Sequence, residues 1–130
     1  MTDQAPIQVS ASAVAEVVSH LEAQFGERLS KTAAIRERFG KDESFHASAP
    51  PDAVVTAKST EEVSQIVKLC AEHGVPVIPY GTGTALEGHV AALYGGISIN
   101  MQEMNDVIEV HDEDLDVVVQ PGVTRKQLNQ

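Results

Sequence analysis

A short apolar run that ends in a glycine-rich loop constrains this chain more than any other feature. Residues 76–89 read PVIPYGTGTALEGH. The glycines of the loop are Gly81, Gly83 and Gly88, and its hydroxyls belong to Thr82 and Thr84. Glycines let the backbone approach a ligand closely, and a buried strand that runs into such a loop can present N–H groups to a phosphate. An ordinary turn after a strand has a similar composition, so the loop alone leaves both interpretations open.

Two well-known phosphate motifs do not fit this loop. The dinucleotide fingerprint G-x-G-x-x-G needs a third glycine where this chain has Leu86, and an acidic residue about 20 positions further on, where Glu103 is the nearest candidate. A P-loop needs a lysine and a hydroxyl residue after its last glycine, but His89 and Val90 follow Gly88. If the loop holds a pyrophosphate, it does so without a P-loop lysine.

Composition narrows the classes of partner. The 130 residues suit one domain, and a hydrophobic fraction of 42% is enough to form a core. The low aromatic content of 4% and the net charge of −10 disfavour nucleic acid and anionic membranes as general partners. A lone cysteine, Cys70, excludes an internal disulfide and suggests a reducing compartment.

Targeting signals and membrane spans are not evident in the sequence. The first ten residues, MTDQAPIQVS, lack the basic and apolar regions of a signal peptide. No apolar run approaches the about 20 residues of a membrane span. We therefore expect a cytoplasmic location without a transmembrane segment, which leaves peripheral membrane association open.

Hydrophobic periodicity predicts two helices in the first part of the chain. An apolar stripe predicts a helix over residues 14–25 that ends at Gly26. A shorter helix is predicted to begin after an N-cap at Ser30 and to end at Gly40. The loop that follows contains three metal-ligand residue types, Asp42, Glu43 and His46, but their spacing matches no strong metal motif.

The middle of the chain has the pattern of a βαβ unit. A β-rich run at residues 53–56 precedes a helix with the capping-box pattern of Ser59 and Glu62, and a strand at residues 75–79 follows. The predicted buried face of this helix is Val63, Ile66, Val67 and Cys70, so Cys70 is interpreted as a packing residue. Ligands favour the carboxyl ends of parallel strands, which is where this order places the glycine loop.

Further strands are predicted at residues 97–100, 107–110 and 115–119. The acidic segment 111–114 is predicted to be a hairpin turn between the last two strands. Thr124 is the predicted N-cap of a final helix.

Taken together, these segments resemble a known family. The order PDAVV, capped helix, GVPVIPYGTGTALEGHV, GGISINM and DLDVVVQPGVTRKQLN resembles the PCMH-type FAD-binding domain of vanillyl-alcohol-oxidase flavoproteins, and within it the D-lactate dehydrogenase (cytochrome) and glycolate oxidase subunit branch. The match covers about residues 41–130, and the joint occurrence of the glycine loop and the VVVQPGVTRKQLN segment is specific. It implies an α+β fold, with an N-terminal helical segment at residues 1–45 and the first part of the FAD-binding domain at residues 46–130.

The resemblance also implies a cofactor site. The glycine loop would wrap the FAD pyrophosphate, with Gly88 and His89 towards the flavin, and the segment 121–123 would line the cofactor from a second strand layer. The implied FAD-binding residues are Pro79, Tyr80, Gly81, Thr82, Gly83, Thr84, Ala85, Leu86, Gly88, His89, Pro121, Gly122 and Val123. Some members of the superfamily attach FAD covalently to a histidine in this loop; Thr84 occupies the nearest equivalent position, so the resemblance implies noncovalent FAD. Many relatives have glycine where this chain has Ala85, so a positive φ is not expected there.

The implied activity is oxidation of a D-2-hydroxy acid, with D-lactate as the first candidate. Hydride would pass from the substrate α-carbon to flavin N5 while a base takes the hydroxyl proton, and the electrons would go to a cytochrome or quinone. Glycolate and D-2-hydroxyglutarate are alternative substrates. The family extends well beyond 130 residues and has its substrate and metal groups there, so no catalytic or metal residue is assigned here. The alternative function is a nonredox phosphate- or nucleotide-binding module whose acidic surface engages a partner.

Overall fold

The computed structural model describes residues 9–130, so most of the segment on which the targeting argument rests lies outside the described range. Helix α1, Ala11–Phe25, begins where the Ser10 hydroxyl accepts the Ala13 N–H group, and it ends at Gly26 as predicted. Helix α2, Ala33–Phe39, ends at Gly40. The predicted N-cap at Ser30 is wrong: Thr32 occupies that position, because Ser30 belongs to a short strand, β1, Leu29–Ser30.

Three parallel strands form the centre of the main sheet. These are β2, Ala53–Thr56, β3, Val77–Tyr80, and β4, Ile97–Asn100. The strand order is β1-β2-β4-β3, with β1 antiparallel to β2. Because β2, β4 and β3 are parallel, their carboxyl ends share one edge, from which the glycine loop starts. The predicted βαβ unit is confirmed, with β4 inserted between its two strands.

Helix α3, Thr60–His73, is the crossover of that unit. Its N-cap is the predicted Ser59, whose hydroxyl accepts the Glu62 N–H group. In a complete capping box the Glu62 side chain would also accept the Ser59 N–H group. Here the Glu62 carboxylate instead forms an ion pair with the Arg28 guanidinium at 2.6 Å. Val67 is 43% exposed, contrary to its predicted place on the buried face, whereas Leu69 packs against the core.

The core lies mainly between the sheet and two helices. Its buried members include Val17, Leu21, Phe25, Val55, Ile66, Cys70, Ile97 and Ile99, contributed by α1, α3 and the strands. Burial raises the pKa of the Cys70 thiol to about 11, which disfavours the nucleophilic thiolate and agrees with a packing role. The division of the chain at residue 45 remains a prediction, although α1 shares this core with the strands.

The last strands form a separate hairpin, β5, Val107–His111, and β6, Asp116–Val119. One of its faces carries a polar cluster in which the two ring nitrogens of His111 contact the carboxylates of Glu109 and Asp116. The predicted final helix is α4, Arg125–Leu128, with the Thr124 hydroxyl as its N-cap. Within residues 9–130, no helix combines the length and the apolar character needed to cross a membrane.

The central strand contains one buried hydroxyl that provides a test of the packing. Ser98 is fully buried, and its Oγ has no hydrogen-bond partner among the described residues. We expect Ser98→Ala to leave the free energy of unfolding unchanged or to raise it by about 1 kcal/mol, because a desolvated, unpaired hydroxyl is removed. The neighbouring Ile99→Ala should lower it by about 2–5 kcal/mol. Urea unfolding measures both; a loss above about 1 kcal/mol for Ser98→Ala would contradict an unpaired hydroxyl.

Candidate cofactor site

The glycine loop is the first half of a long crossover between neighbouring strands. Residues 81–96 connect β3 to β4, and this connection contains no helix. Parallel neighbours need a connection of a dozen or more residues, because the chain must return to the start of the next strand. On the way back, Val90 and Ala92 are buried, and Val90 packs with Val54 and Tyr80 on the second face of the sheet. The buried residues Val90 and Ala92 thus anchor the crossover, and the glycine loop stays at the carboxyl edge of the sheet.

A cavity of about 620 Å³ lies between this loop and the segment that follows β6. Its lining residues are Gly81, Thr82 and Thr84 on one side and Pro121, Val123, Thr124, Arg125 and Lys126 on the other. The structure therefore brings together the two segments that the sequence singled out separately. The second wall is held in place by a hydrogen bond of 2.8 Å from the Gly122 N–H group to the Met104 carbonyl oxygen.

Tyr80 supports the loop from below rather than lining the cavity. Its side chain is buried, and its ring lies 4.3 Å from the Phe39 ring between centroids. Gly83 sits directly on this ring with φ +74°, and any Cβ at this position would overlap the Tyr80 hydroxyl. The Thr82 and Thr84 hydroxyls are hydrogen-bonded to each other at 2.9 Å. Residues 81–84 are thus shaped by their contact with the Tyr80 ring and by the hydrogen bond between the two threonines.

The other predicted site residues lie outside the cavity lining. Leu86 is 68% exposed and His89 is exposed, whereas Ala85 and Gly88 are half-buried. Pro79 is exposed at the end of β3. Among the described residues other than glycine, only Leu115 has a positive φ, so the alanine at position 85 fits the backbone as expected. Whether these residues contact a cofactor remains a prediction.

Three residues of the cavity were not predicted from the sequence: Thr124, Arg125 and Lys126. Two of the nine Lys and Arg residues of the chain therefore face one cavity, and neither forms an ion pair within residues 9–130. With backbone N–H groups and hydroxyls opposite, the cavity can offer donors and positive charge to an anionic group. The sequence signal was the pair of adjacent basic residues directly after the N-cap Thr124.

The polar loop after α2 is attached to the glycine loop. The Asp42 carboxylate accepts the Ser44 N–H group at 2.9 Å and the Gly88 N–H group at 2.8 Å. A hydrogen bond from the Ser44 side chain is the largest cause that lowers the pKa of Asp42, and desolvation opposes it. The two backbone hydrogen bonds and the electrostatic interaction with His89 lower the pKa further. No group of three or more potential metal ligands occurs in the part of the chain that the structure describes.

Comparison with known proteins identifies the family. Residues 51–130, more than half of the chain, match the family model described as "FAD binding domain". The chain belongs to this family. Its relatives include a probable mitochondrial D-lactate dehydrogenase of Danio rerio, 50% identical over 91% of this chain, and a mitochondrial D-lactate dehydrogenase [cytochrome] of Arabidopsis thaliana, 42% identical over 88%. The chain spans 24% and 21% of these two relatives, about a quarter or less of each.

Solved structures support the same assignment. The crystal structure of p-cresol methylhydroxylase with substrate bound has a TM-score of 0.80 to this chain at 27% identity, over 93% of this chain and 24% of that one. The resemblance to the vanillyl-alcohol-oxidase type of FAD-binding domain is confirmed, and so is the α+β fold class.

The contact between Gly83 and Tyr80 leads to a stability prediction. Gly83→Ala should lower the free energy of unfolding by about 1–2 kcal/mol or more, because it strains a left-handed backbone and displaces a packed ring. Gly81→Ala is the matched control: its φ is not positive, and its Cβ would meet nothing closer than 3.9 Å. Denaturant unfolding without ligand compares the two. Equal effects of both substitutions would contradict the described packing.

The Asp42 contacts predict a pH dependence of stability. Because the folded-state pKa of Asp42 lies below its ordinary value of 3.8, its contribution is fully present above that value and is lost as the pH falls through the folded-state pKa. Asp42→Asn removes this titration. We therefore expect wild type to lose more stability than Asp42→Asn between pH 5 and the most acid pH at which both fold, as followed by thermal unfolding. Identical pH profiles would contradict the prediction.

Proposed function

We propose that this chain is the FAD-binding portion of an FAD-dependent oxidoreductase that oxidises a D-2-hydroxy acid, with D-lactate as the first substrate candidate. The observation that carries the proposal is that one cavity is lined by both the glycine loop and residues 121–126, in a chain that belongs to a family described as an FAD binding domain. Catalytic residues are not assigned within these 130 residues.

The donor set of the cavity suits the diphosphate of FAD. Gly81, Thr82 and Thr84 offer backbone N–H groups and hydroxyls, and Arg125 and Lys126 offer two positive charges on the opposite wall. A diphosphate needs such neutralisation most in a chain with a net charge of −10. Thr84 has no nucleophilic ring nitrogen for a flavin bond, which favours noncovalent FAD.

FAD, when bound, supplies the two-electron acceptor for hydride from the substrate α-carbon. The role of this chain's residues is to bind the cofactor and fix its position. The substrate class comes from relatives named D-lactate dehydrogenase; relatives named glycolate oxidase subunit, from Bacillus subtilis, and D-2-hydroxyglutarate dehydrogenase, from Stutzerimonas stutzeri, support the two alternative substrates. The proposed electron acceptor is a cytochrome or quinone; the name of the Arabidopsis relative, D-lactate dehydrogenase [cytochrome], supports a cytochrome.

The role of the two cations can be tested directly. Arg125→Gln and Lys126→Gln should each weaken FAD binding by up to about fivefold, the size of a partly exposed ion pair, and should reduce the salt dependence of binding. Lys68→Gln is the matched control, because it removes one charge from an exposed position on α3 outside the cavity. Flavin fluorescence titration of the apoprotein measures the affinities. The same effect for all three variants would argue against cation contacts with the cofactor.

The visible spectrum tests the proposed activity. In the protein expressed from its complete reading frame, we expect a flavin spectrum that bleaches on anaerobic addition of D-lactate, with the flavin released by acid precipitation because it is noncovalent. Parallel additions of glycolate and D-2-hydroxyglutarate decide between the substrates. A protein that folds without flavin and cannot be reconstituted with FAD would refute the proposal and favour a nonredox binding module.

A further inference from the structure

A polar segment far away in sequence, residues 42–49, is hydrogen-bonded to residues 85–92 of the crossover. The Glu43 N–H group donates to the Ala85 carbonyl oxygen at 3.0 Å, and the Gly88 N–H group donates to Asp42 at 2.8 Å. Further along, the Ala92 N–H group donates to the Ala49 carbonyl oxygen at 2.8 Å. Residues 42–49 therefore run beside residues 85–92 and are joined to them at three points.

The two halves of the glycine loop are held by different parts of the protein. Residues 81–84 depend on the Tyr80 ring and on the hydrogen bond between Thr82 and Thr84. Residues 85–89 depend on the segment that contains Asp42. The contacts that hold residues 81–84 and those that hold residues 85–89 therefore involve different side chains.

Asp42 is the one side chain of this segment that makes a charge-assisted hydrogen bond to the loop. Its Oδ1 accepts the Ser44 N–H group and closes a local turn, while Oδ2 accepts the Gly88 N–H group. Carboxylate acceptors make stronger hydrogen bonds than neutral ones. The position of Gly88 is further restricted because a Cβ there would lie 2.6 Å from the His46 ring, so only glycine with its φ of +76° fits.

We infer that Asp42 is a positioning residue that fixes residues 85–89 of the crossover independently of residues 81–84. It acts through the backbone of Gly88. This inference rests on the proposed function: if FAD binds with its flavin towards Gly88 and His89, as the family resemblance implies, Asp42 sets the affinity for the flavin half of the cofactor, whereas the adenosine diphosphate half depends on residues 81–84 and the two cations.

The first experiment follows amide hydrogen exchange, resolved to individual residues, in the protein from its complete reading frame. In Asp42→Ala, the Gly88 amide should exchange about tenfold faster or more, while the amides of residues 81–84 stay within about twofold of wild type. Glu43→Gln is the matched control: it removes the neighbouring charge but keeps the backbone hydrogen bond to Ala85. If Asp42→Ala does not fold, Asp42→Asn takes its place, since one amide oxygen cannot replace both carboxylate oxygens.

The second readout separates positioning from a general loss of stability. In Asp42 variants, the Kd for FAD should rise about tenfold, whereas the Kd for ADP, measured as a competitor, should stay within about twofold of wild type. Parallel weakening of FAD and ADP, unchanged Gly88 exchange, or equal acceleration in residues 81–84 would each overturn the inference. A wild-type protein that binds neither FAD nor ADP would refute the proposed function, while the exchange data would still decide whether Asp42 holds residues 85–89.

Discussion

The parallel pairing of β3 with its neighbour β4 is the constraint on which the site depends. After Tyr80 the chain must travel back about 13 Å, the length of a four-residue strand, to the start of β4. In most proteins a helix makes this return. Here residues 81–96 make it without one, so the loop must be stabilised by burial of Val90 and Ala92 and by its neighbours instead. The position of the glycine loop at the carboxyl edge of the sheet is a direct result of this topology.

The charge distribution explains how an acidic chain can present an anion site. Three of the six Lys and Arg residues in the first half of the chain are engaged elsewhere: Arg28 pairs with Glu62, Lys31 with Glu22, and Arg36 donates to the Pro51 carbonyl oxygen. Arg125 and Lys126 are left to the cavity. Since the net charge of −10 repels anions at long range, and salt screens charges beyond about 8–10 Å, attraction has to come from groups that touch the ligand.

Local sequence patterns predicted most of the helices and strands, whereas contacts between distant parts of the chain could not be predicted from them. The stripe of α1, the N-caps Ser59 and Thr124 and the strand β4 could be predicted because propensity and capping act over a few residues. Strand β1 could not, because two residues are too short to show alternation. The insertion of β4 between β2 and β3, like the bond from Asp42 to an amide 46 residues away, arises from tertiary packing. The cations after Thr124 were missed because their role appears only opposite the glycine loop.

The second wall of the cavity depends on how the hairpin is attached. A two-stranded hairpin has little stability alone, and the apolar face of this one, with Val110 63% exposed, is not covered by other described residues. Its base is held by the buried Met104, whose carbonyl oxygen accepts the Gly122 N–H group, and by the bond from Gln120 N–H to the Asp106 carbonyl oxygen. Because the basic wall begins at the end of this hairpin, the Met104 anchor sets the distance between the cations and the glycine loop.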